Sequence, residues 1–320
     1  MIKFIKKPYC FAVIFSFLLI SSAIFVLLDT FVIEKVQENN KNNIVIDNNE
    51  NNENISNNEE IDNNESEIND YQEKEEVIIT ENSYKDSKIE IEITTEREKE
   101  TTYYVADIII KDASLLKTAF ANNSFGRNIK DTTSNIAEEN NAILAINGDF
   151  YGFRDSGYVL RNGELYRSTI NDNNEDLVID KNGDFKIIKE NEVALSELES
   201  EGVMQVFSFG PALVENGESS VDEDDEVGKA KASNPRTAIG QIDDLHYIMI
   251  VSDGRTDESE GFTLKELSEI LIEKGCITAY NLDGGGSSTM VFNGKVINKP
   301  TTNGKSIKER EVSDIVYIGY

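Results

Sequence analysis

Twenty uncharged residues run without interruption from Tyr9 to Leu28, with Lys3, Lys6 and Lys7 before them and Asp29 after them. As a helix, such a run spans roughly 30 Å at about 1.5 Å per residue, the thickness of one bilayer hydrocarbon core. It therefore divides the chain into residues 1–8, a cytoplasmic basic flank; residues 9–28, a transmembrane signal anchor; and an exported remainder. A cleaved signal peptide is the rival reading, with Ser21-Ser22-Ala23 as its cleavage site. The apolar run continues through Leu28, beyond where a mature chain would begin, and this favours a retained anchor.

Residues 29–76 form the next unit. From Glu38 to Asp70 the sequence is nearly all Asn, Asp, Glu and Ser, with isolated isoleucines that cannot build a core. Such a segment cannot offset its own ordering entropy, so a disordered tether is expected. The strongly acidic balance, a net charge of -29, excludes a nucleic-acid binder, which needs clustered Lys and Arg on its surface. The two cysteines are Cys10, in the leader, and Cys276, in a strand-like run, and no disulfide between them is expected.

The folded domain is expected over 77–320, with an α+β fold: a mixed, twisted sheet with several hairpins and at least one βαβ crossover helix. Thr101 to Lys111 and Ala142 to Ile146 read as strands, and Thr133 to Asn140 as a short helix. Asn162-Gly163, Asn182-Gly183 and Asn293-Gly294 each separate strand-like runs, and Asn-Gly tolerates the positive φ of a tight hairpin turn. Leu245 to Val251 is a further strand. Thr263 and Glu266 form a capping box for a helix with Leu264, Leu267, Ile270 and Leu271 on its buried stripe, and Gly275 ends it. Cys276 to Leu282 returns as a strand. Strand, helix, strand predicts two parallel strands joined by a right-handed crossover, which would set Asp253 and Asp283 side by side at one sheet edge.

Three aspartates, Asp149, Asp253 and Asp283, each close an apolar strand and are soon followed by glycine. One Asp-Gly alone is ordinary turn chemistry. Three in this context are the candidate catalytic carboxylates. The run Asn281-Leu282-Asp283-Gly284-Gly285-Gly286-Ser287-Ser288 offers unobstructed backbone N–H groups and two hydroxyls, which suits an anion. Arg236 and Thr237 open another strand, and Arg236 could clamp a phosphate bidentately, with Arg255 as a second candidate. Asn147 completes the candidate substrate-binding set. The single histidine, His246, begins a strand and reads as structural, no His/Cys cluster suggests zinc, and acid–base work falls to carboxylates. The acidic run 222–226 lacks the ligand spacing of a calcium loop and reads as a solvated loop.

In NGDFYG at Asn147 to Gly152, RTAIG at Arg236 to Gly240, SDGR at Ser252 to Arg255 and NLDGGGSSTMV at Asn281 to Val291, the chain resembles the phosphodiester glycosidase family. The resemblance runs from about Tyr104 to Tyr320. It implies hydrolysis of the bond between a sugar's anomeric carbon and a phosphodiester oxygen. Many members carry a second glycine where this chain has Asp149, so no family-wide catalytic role is implied for that residue.

The expected protein is thus a membrane-anchored hydrolase with its domain outside the cell, acting on sugar-phosphate diesters in surface glycopolymers or exopolysaccharide. A transferase moving a sugar or sugar phosphate to an acceptor hydroxyl, and a non-catalytic binder of anionic glycans, are the alternatives. The sequence requires no cofactor. The three aspartates could supply oxygen ligands to a calcium or magnesium ion, and the residues of any metal site are unknown.

Overall fold

The computed structural model describes residues 9–37, 77–221 and 233–320. The basic flank, most of the expected tether and the acidic run at 222–226 lie outside these residues. Cys10–Phe31 forms helix α1, which is apolar on every side and exposed from Phe11 to Leu28. By length and composition it can cross a bilayer. Just beyond it, Lys35–Val36 pairs antiparallel with Gly126–Arg127, and Asn128 Nδ2 donates to the carbonyls of Thr30 and Ile33.

Three short helices follow: α2 (Thr133–Glu139), α3 (Leu195–Glu201) and α4 (Leu264–Glu273). Nine strands carry the architecture: β1 (Ile89–Glu98), β2 (Thr101–Ile110), β3 (Leu144–Asn147), β4 (Gln205–Phe207), β5 (Thr237–Asp243), β6 (His246–Ser252), β7 (Thr278–Asn281), β8 (Met290–Phe292) and β9 (Asp314–Ile318). The largest sheet runs Glu218–Ser219, Ala212–Glu215, β7, β5, β6, β2, β1, Ser83–Lys85, Ile78–Ile79. A second sheet runs Lys295–Val296, β8, β3, β9, Leu116–Phe120. The third runs Glu164–Arg167, Val159–Arg161, β4, Glu175–Ile179, Phe185–Lys189.

One apolar core joins all three sheets. Ile91, Ile108 and Met249 from the first meet Leu144, Ile146 and Val316 from the second and Leu177 and Phe207 from the third. The alternation of Ile89, Ile91 and Ile93 with glutamate and threonine puts one face of β1 into this core and the other in water. The opposite face of the large sheet is covered by α4, whose Leu264, Leu267, Ile270 and Leu271 pack on Val105, Ile248 and Ile250. The capping box at Thr263 and Glu266 forms as expected.

Two expectations need correction. β6 and β7 are not paired: β5 lies between them and is antiparallel to both, and every ladder among the described strands is antiparallel. The expected neighbouring parallel pair is therefore not formed. A packed helix is about 10 Å across, close to two strand spacings, so a helix beneath the sheet leaves room for a strand above it. The tight hairpin of β5 and β6 supplies that strand locally. The second correction concerns only the turn type at Asn182-Gly183, where the expected hairpin of Glu175–Ile179 with Phe185–Lys189 does form. Only Gly183 has positive φ there, and the turn is a wider 180–184 loop held by Asp180 Oδ1, which accepts from the amides of Asn182 and Asp184. Asn162-Gly163 and Asn293-Gly294 do form two-residue turns with both residues at positive φ, and Asn216-Gly217 makes another.

Candidate active site

The site is assembled where the start of β5 meets the ends of β3, β6 and β7. Asn147, at the end of β3, is fully buried and works as a buttress. Its Nδ2 donates to the Asp283 carbonyl at 2.6 Å, and its Oδ1 accepts from Thr237 Oγ1 at 2.8 Å and the Thr289 amide at 3.2 Å. Asp283 N donates to the Gly148 carbonyl, and Leu282 N to that of Thr237. Asn147 and Thr237 thus hold the glycine loop in place from beneath.

The loop itself must be free of side chains. Gly285 adopts φ +64°, and a Cβ there would lie 2.7 Å from an Arg255 guanidinium nitrogen. A Cβ on Gly284 would approach the Pro235 carbonyl to 2.9 Å. Both positions are closed to larger residues because arginine and backbone pack directly on the loop.

Around the loop, one carboxylate meets two guanidinium groups. Asp283 Oδ2 accepts from Ser287 Oγ at 2.6 Å and from Arg310 Nη2 at 2.9 Å. Arg310 also donates to Ser287 Oγ, from Nε at 2.8 Å and Nη2 at 2.5 Å, and to the Gly284 carbonyl at 3.1 Å. Arg255 is fixed by Asn234 Oδ1, which accepts from Nε and Nη2, and by the Thr302 carbonyl. Burial raises the Asp283 carboxyl above its ordinary range, against the pull of Arg310 and Ser287. Burial and then the nearby Arg310 charge lower the pKa of Arg255, while Asp283 raises it. Two cations beside one partly compensating carboxylate leave this edge short of negative charge, which a bound anion would supply.

The other expected residues lie nearby in different surroundings. Arg236 is buried, with Nε donating to the Phe262 carbonyl at 2.8 Å. Asp253 lies across the Pro235–Arg236 segment from Asp283: a Cβ on Gly254 would meet Pro235 N at 2.7 Å, whereas Gly284 abuts the Pro235 carbonyl. The expected side-by-side placement of Asp253 and Asp283 is therefore replaced by one with β5 between them. Asp253 Oδ1 accepts from the Lys299 amide at 2.7 Å, burial raises its carboxyl, and Asn298 and Tyr104 are further partners.

Asp149 is enclosed in another network. Its oxygens accept from the amides of Phe150 and Ser208, and Arg161 Nη2 lies 3.6 Å from Oδ2 while holding Asp314 at 2.9 Å. Asn281 Nδ2 donates to the Gly210 carbonyl, and its Oδ1 is buried without a partner among the described residues, as is Ser288 Oγ. The three aspartates have separate partners. Among the described residues, no group of three or more His, Cys, Asp or Glu side chains is placed to hold a metal ion.

Arg310 was not anticipated. It lies in Lys308-Glu309-Arg310-Glu311, which reads as a solvated charged loop. The available signal was its type: only eight arginines occur in the chain, and this one follows the glycine loop and precedes the last strand.

Comparison with known proteins gives this arrangement a context. The phosphodiester glycosidase family model matches residues 140–319, from before Asn147 to beyond Arg310. The chain belongs to the phosphodiester glycosidase family. A SPbeta prophage-derived uncharacterized protein, YomE, of Bacillus subtilis is 31% identical over 203 residues, covering 61% of this chain and 31% of that one. Human N-acetylglucosamine-1-phosphodiester alpha-N-acetylglucosaminidase is 32% identical over 105 residues, 31% of this chain and 20% of its own. The chain thus spans less than a third of the length of these curated relatives. In fold it is similar to the catalytic domain of the zebrafish N-acetylglucosamine-1-phosphodiester alpha-N-acetylglucosaminidase, with a TM-score of 0.58 and 19% identity over 72% of this chain and 83% of that one.

Proposed function

We propose that this phosphodiester glycosidase domain hydrolyses the bond between a sugar's anomeric carbon and a phosphodiester oxygen. The observation that carries the reading is the placement of both Arg255 and Arg310 against the Asp283–Gly285 loop. The two arginines would take the phosphate, because the loop amides are largely committed (Gly285 N to the Pro235 carbonyl, Ser287 N to that of Gly284, Ser288 N to that of Gly285), and Asp283 would serve the anomeric carbon. A phosphate monoester leaves readily as an anion, because its second pKa is about 6, so a strong general acid is dispensable. The carboxylate has two tasks: to oppose the positive charge that develops on the sugar ring, and to accept the proton of the attacking water. The water oxygen bonds to the anomeric carbon as the carbon–oxygen bond to phosphate breaks, and the proton passes through Asp283 to solvent.

In this reading α1 anchors the protein, with the domain on the outer face of the membrane, and the substrate is a sugar-phosphate glycan of the cell surface. The apolar helix and the relatives named for a phosphodiester-linked sugar support it. The test is incubation of the detergent-solubilised protein with a chromogenic sugar-1-phosphodiester, with and without an acceptor sugar. Free sugar and a phosphate monoester in both cases are expected. Transfer to the acceptor would make the protein a transferase, and binding without turnover would make it a glycan-binding protein.

A further inference from the structure

A cleft of about 560 Å³ opens between the Tyr151–Phe153 turn and the strand Glu164–Arg167. Its charged lining is Arg127, Arg154 and Arg167 against Asp155 alone, in a chain whose net charge is -29. Such a local reversal of sign draws in anions. Arg167 is committed to the protein: Nε donates to the Gly157 carbonyl, and Nη1 to those of Tyr151 and Arg154, which fixes the turn. Arg154 uses Nη1 on the Ser208 carbonyl at 2.8 Å, and Arg127 uses Nη1 on the exposed Asp155. Their other guanidinium N–H groups have no protein partner among the described residues. Ser168 and Thr169 line the same space, suited to a sugar, while the Tyr166 hydroxyl is taken by Glu164 at 2.8 Å.

The cleft is linked to the candidate active site. Ser208, whose carbonyl accepts from Arg154, donates its amide to Asp149, and the Gly148 carbonyl before Asp149 accepts from the Asp283 amide. We propose that the cleft of Arg127 and Arg154 is a second phosphate subsite, holding a neighbouring phosphate of a repeating sugar-phosphate chain while the scissile diester lies at Arg255 and Arg310. The assignment of the scissile diester rests on the function proposed above. The substrate is then a polymer with at least two phosphodiester units, and a single diester fills only half of the site.

The test is direct binding, which needs no turnover. The full-length protein in detergent is titrated with non-hydrolysable C-glycosyl phosphonate analogues containing one or three sugar-phosphate units. Wild type should bind the three-unit analogue at least about tenfold more tightly, the scale of one charge-assisted hydrogen bond. The Arg127→Gln/Arg154→Gln double variant should lose that advantage, with its affinity for the one-unit analogue retained. Equal wild-type affinities for the two analogues would overturn the proposal, and that result does not depend on how any variant folds. Displacement of the three-unit analogue by glycerophosphoglycerol, a lipid headgroup, at equal concentration would also overturn it. Failure of wild type to bind either analogue would instead count against the proposed function as a whole.

Discussion

Arg310 Nη2 lies 2.9 Å from Asp283 Oδ2, and both groups share the Ser287 hydroxyl. The carboxylate is thereby held by a cation that also borders the glycine loop. Burial has already raised the Asp283 carboxyl, and Arg310 leads the influences that pull it down. Arg310→Gln removes that pull, so the carboxyl should rise further and the ionised form should appear only at higher pH. Activity that depends on the ionised form should then show an acidic limb displaced upward, with kcat/KM lower by at least about a hundredfold. A pH–rate profile of wild type and variant checks this, and an unmoved acidic limb would separate Arg310 from Asp283 in the chemistry.

Arg255 and Arg236 should respond differently to substitution by lysine. Arg255 is exposed, so Arg255→Lys should change stability by less than about 1 kcal/mol while lowering kcat/KM at least about tenfold through loss of its planar fork. Arg236→Lys removes the buried guanidinium donor from the Phe262 carbonyl, which keeps only the Asn234 amide, and should cost about 1–3 kcal/mol. Thermal melts run beside the kinetics compare the two; equal destabilisation would contradict the distinction.

Asp253 and Asp283 are separated by the start of β5 and have different partners. Asp283→Asn should lower kcat at least about a hundredfold. Asp253→Asn should act mainly on stability, by about 1–3 kcal/mol, because the Lys299 amide and the Tyr104 hydroxyl are bound to its carboxylate. Turnover per folded molecule is the discriminating quantity, and an equal loss in both variants would return Asp253 to the reacting centre.

A titrating group apart from the site should set the alkaline behaviour of the fold. Asp176 is fully buried near Glu190, and its carboxyl is pushed up to about 10, first by burial and then by the Glu190 charge. The folded state keeps a proton that the unfolded chain loses near pH 4. The contribution of this group is therefore complete below about pH 4 and is lost as pH rises towards 10. The expected slope is about 1.4 kcal/mol per pH unit. Asp176→Asn, which keeps the shape and remains neutral, should flatten the decline. Urea unfolding from pH 6 to 9 measures it, and identical slopes in the two proteins would exclude the buried proton.

Features fixed by neighbours in sequence were the legible ones. Asn162-Gly163 and Asn293-Gly294 turn because those residue types accept positive φ, and Thr263 caps α4 through Glu266, three residues on. The turn between β1 and β2 follows no such rule. Lys99 and Glu100 both have positive φ there, and long-range bonds surround it: Arg97 to the Glu258 carbonyl, and the Glu260 amide to the Glu100 carbonyl. Tertiary contacts override local propensity at that point.

The same division runs through the site. Asp283 and its glycines stand out in sequence because a run of three glycines at a strand end is locally unusual, and Arg255 stands out because it follows Asp253 at the end of another apolar strand. The separation of Asp253 from Asp283 depends on β5 entering between β6 and β7, a matter of pairing across the sheet. Arg310 depends on a long loop that returns to Ser287, and in sequence its glutamate neighbours conceal it. Asp149 reads in sequence as a candidate carboxylate, and its partners Arg161 and Asp314 are not legible there because they are distant along the chain.

The most direct test of the central claim is hydrolysis of a sugar-1-phosphodiester in oxygen-18 water, with mass analysis of the phosphate monoester released. Cleavage between the anomeric carbon and oxygen leaves the phosphate unlabelled, and the same products should be nearly absent with Asp283→Asn. Oxygen-18 in the phosphate would place water's attack on phosphorus and contradict the glycosidase reading.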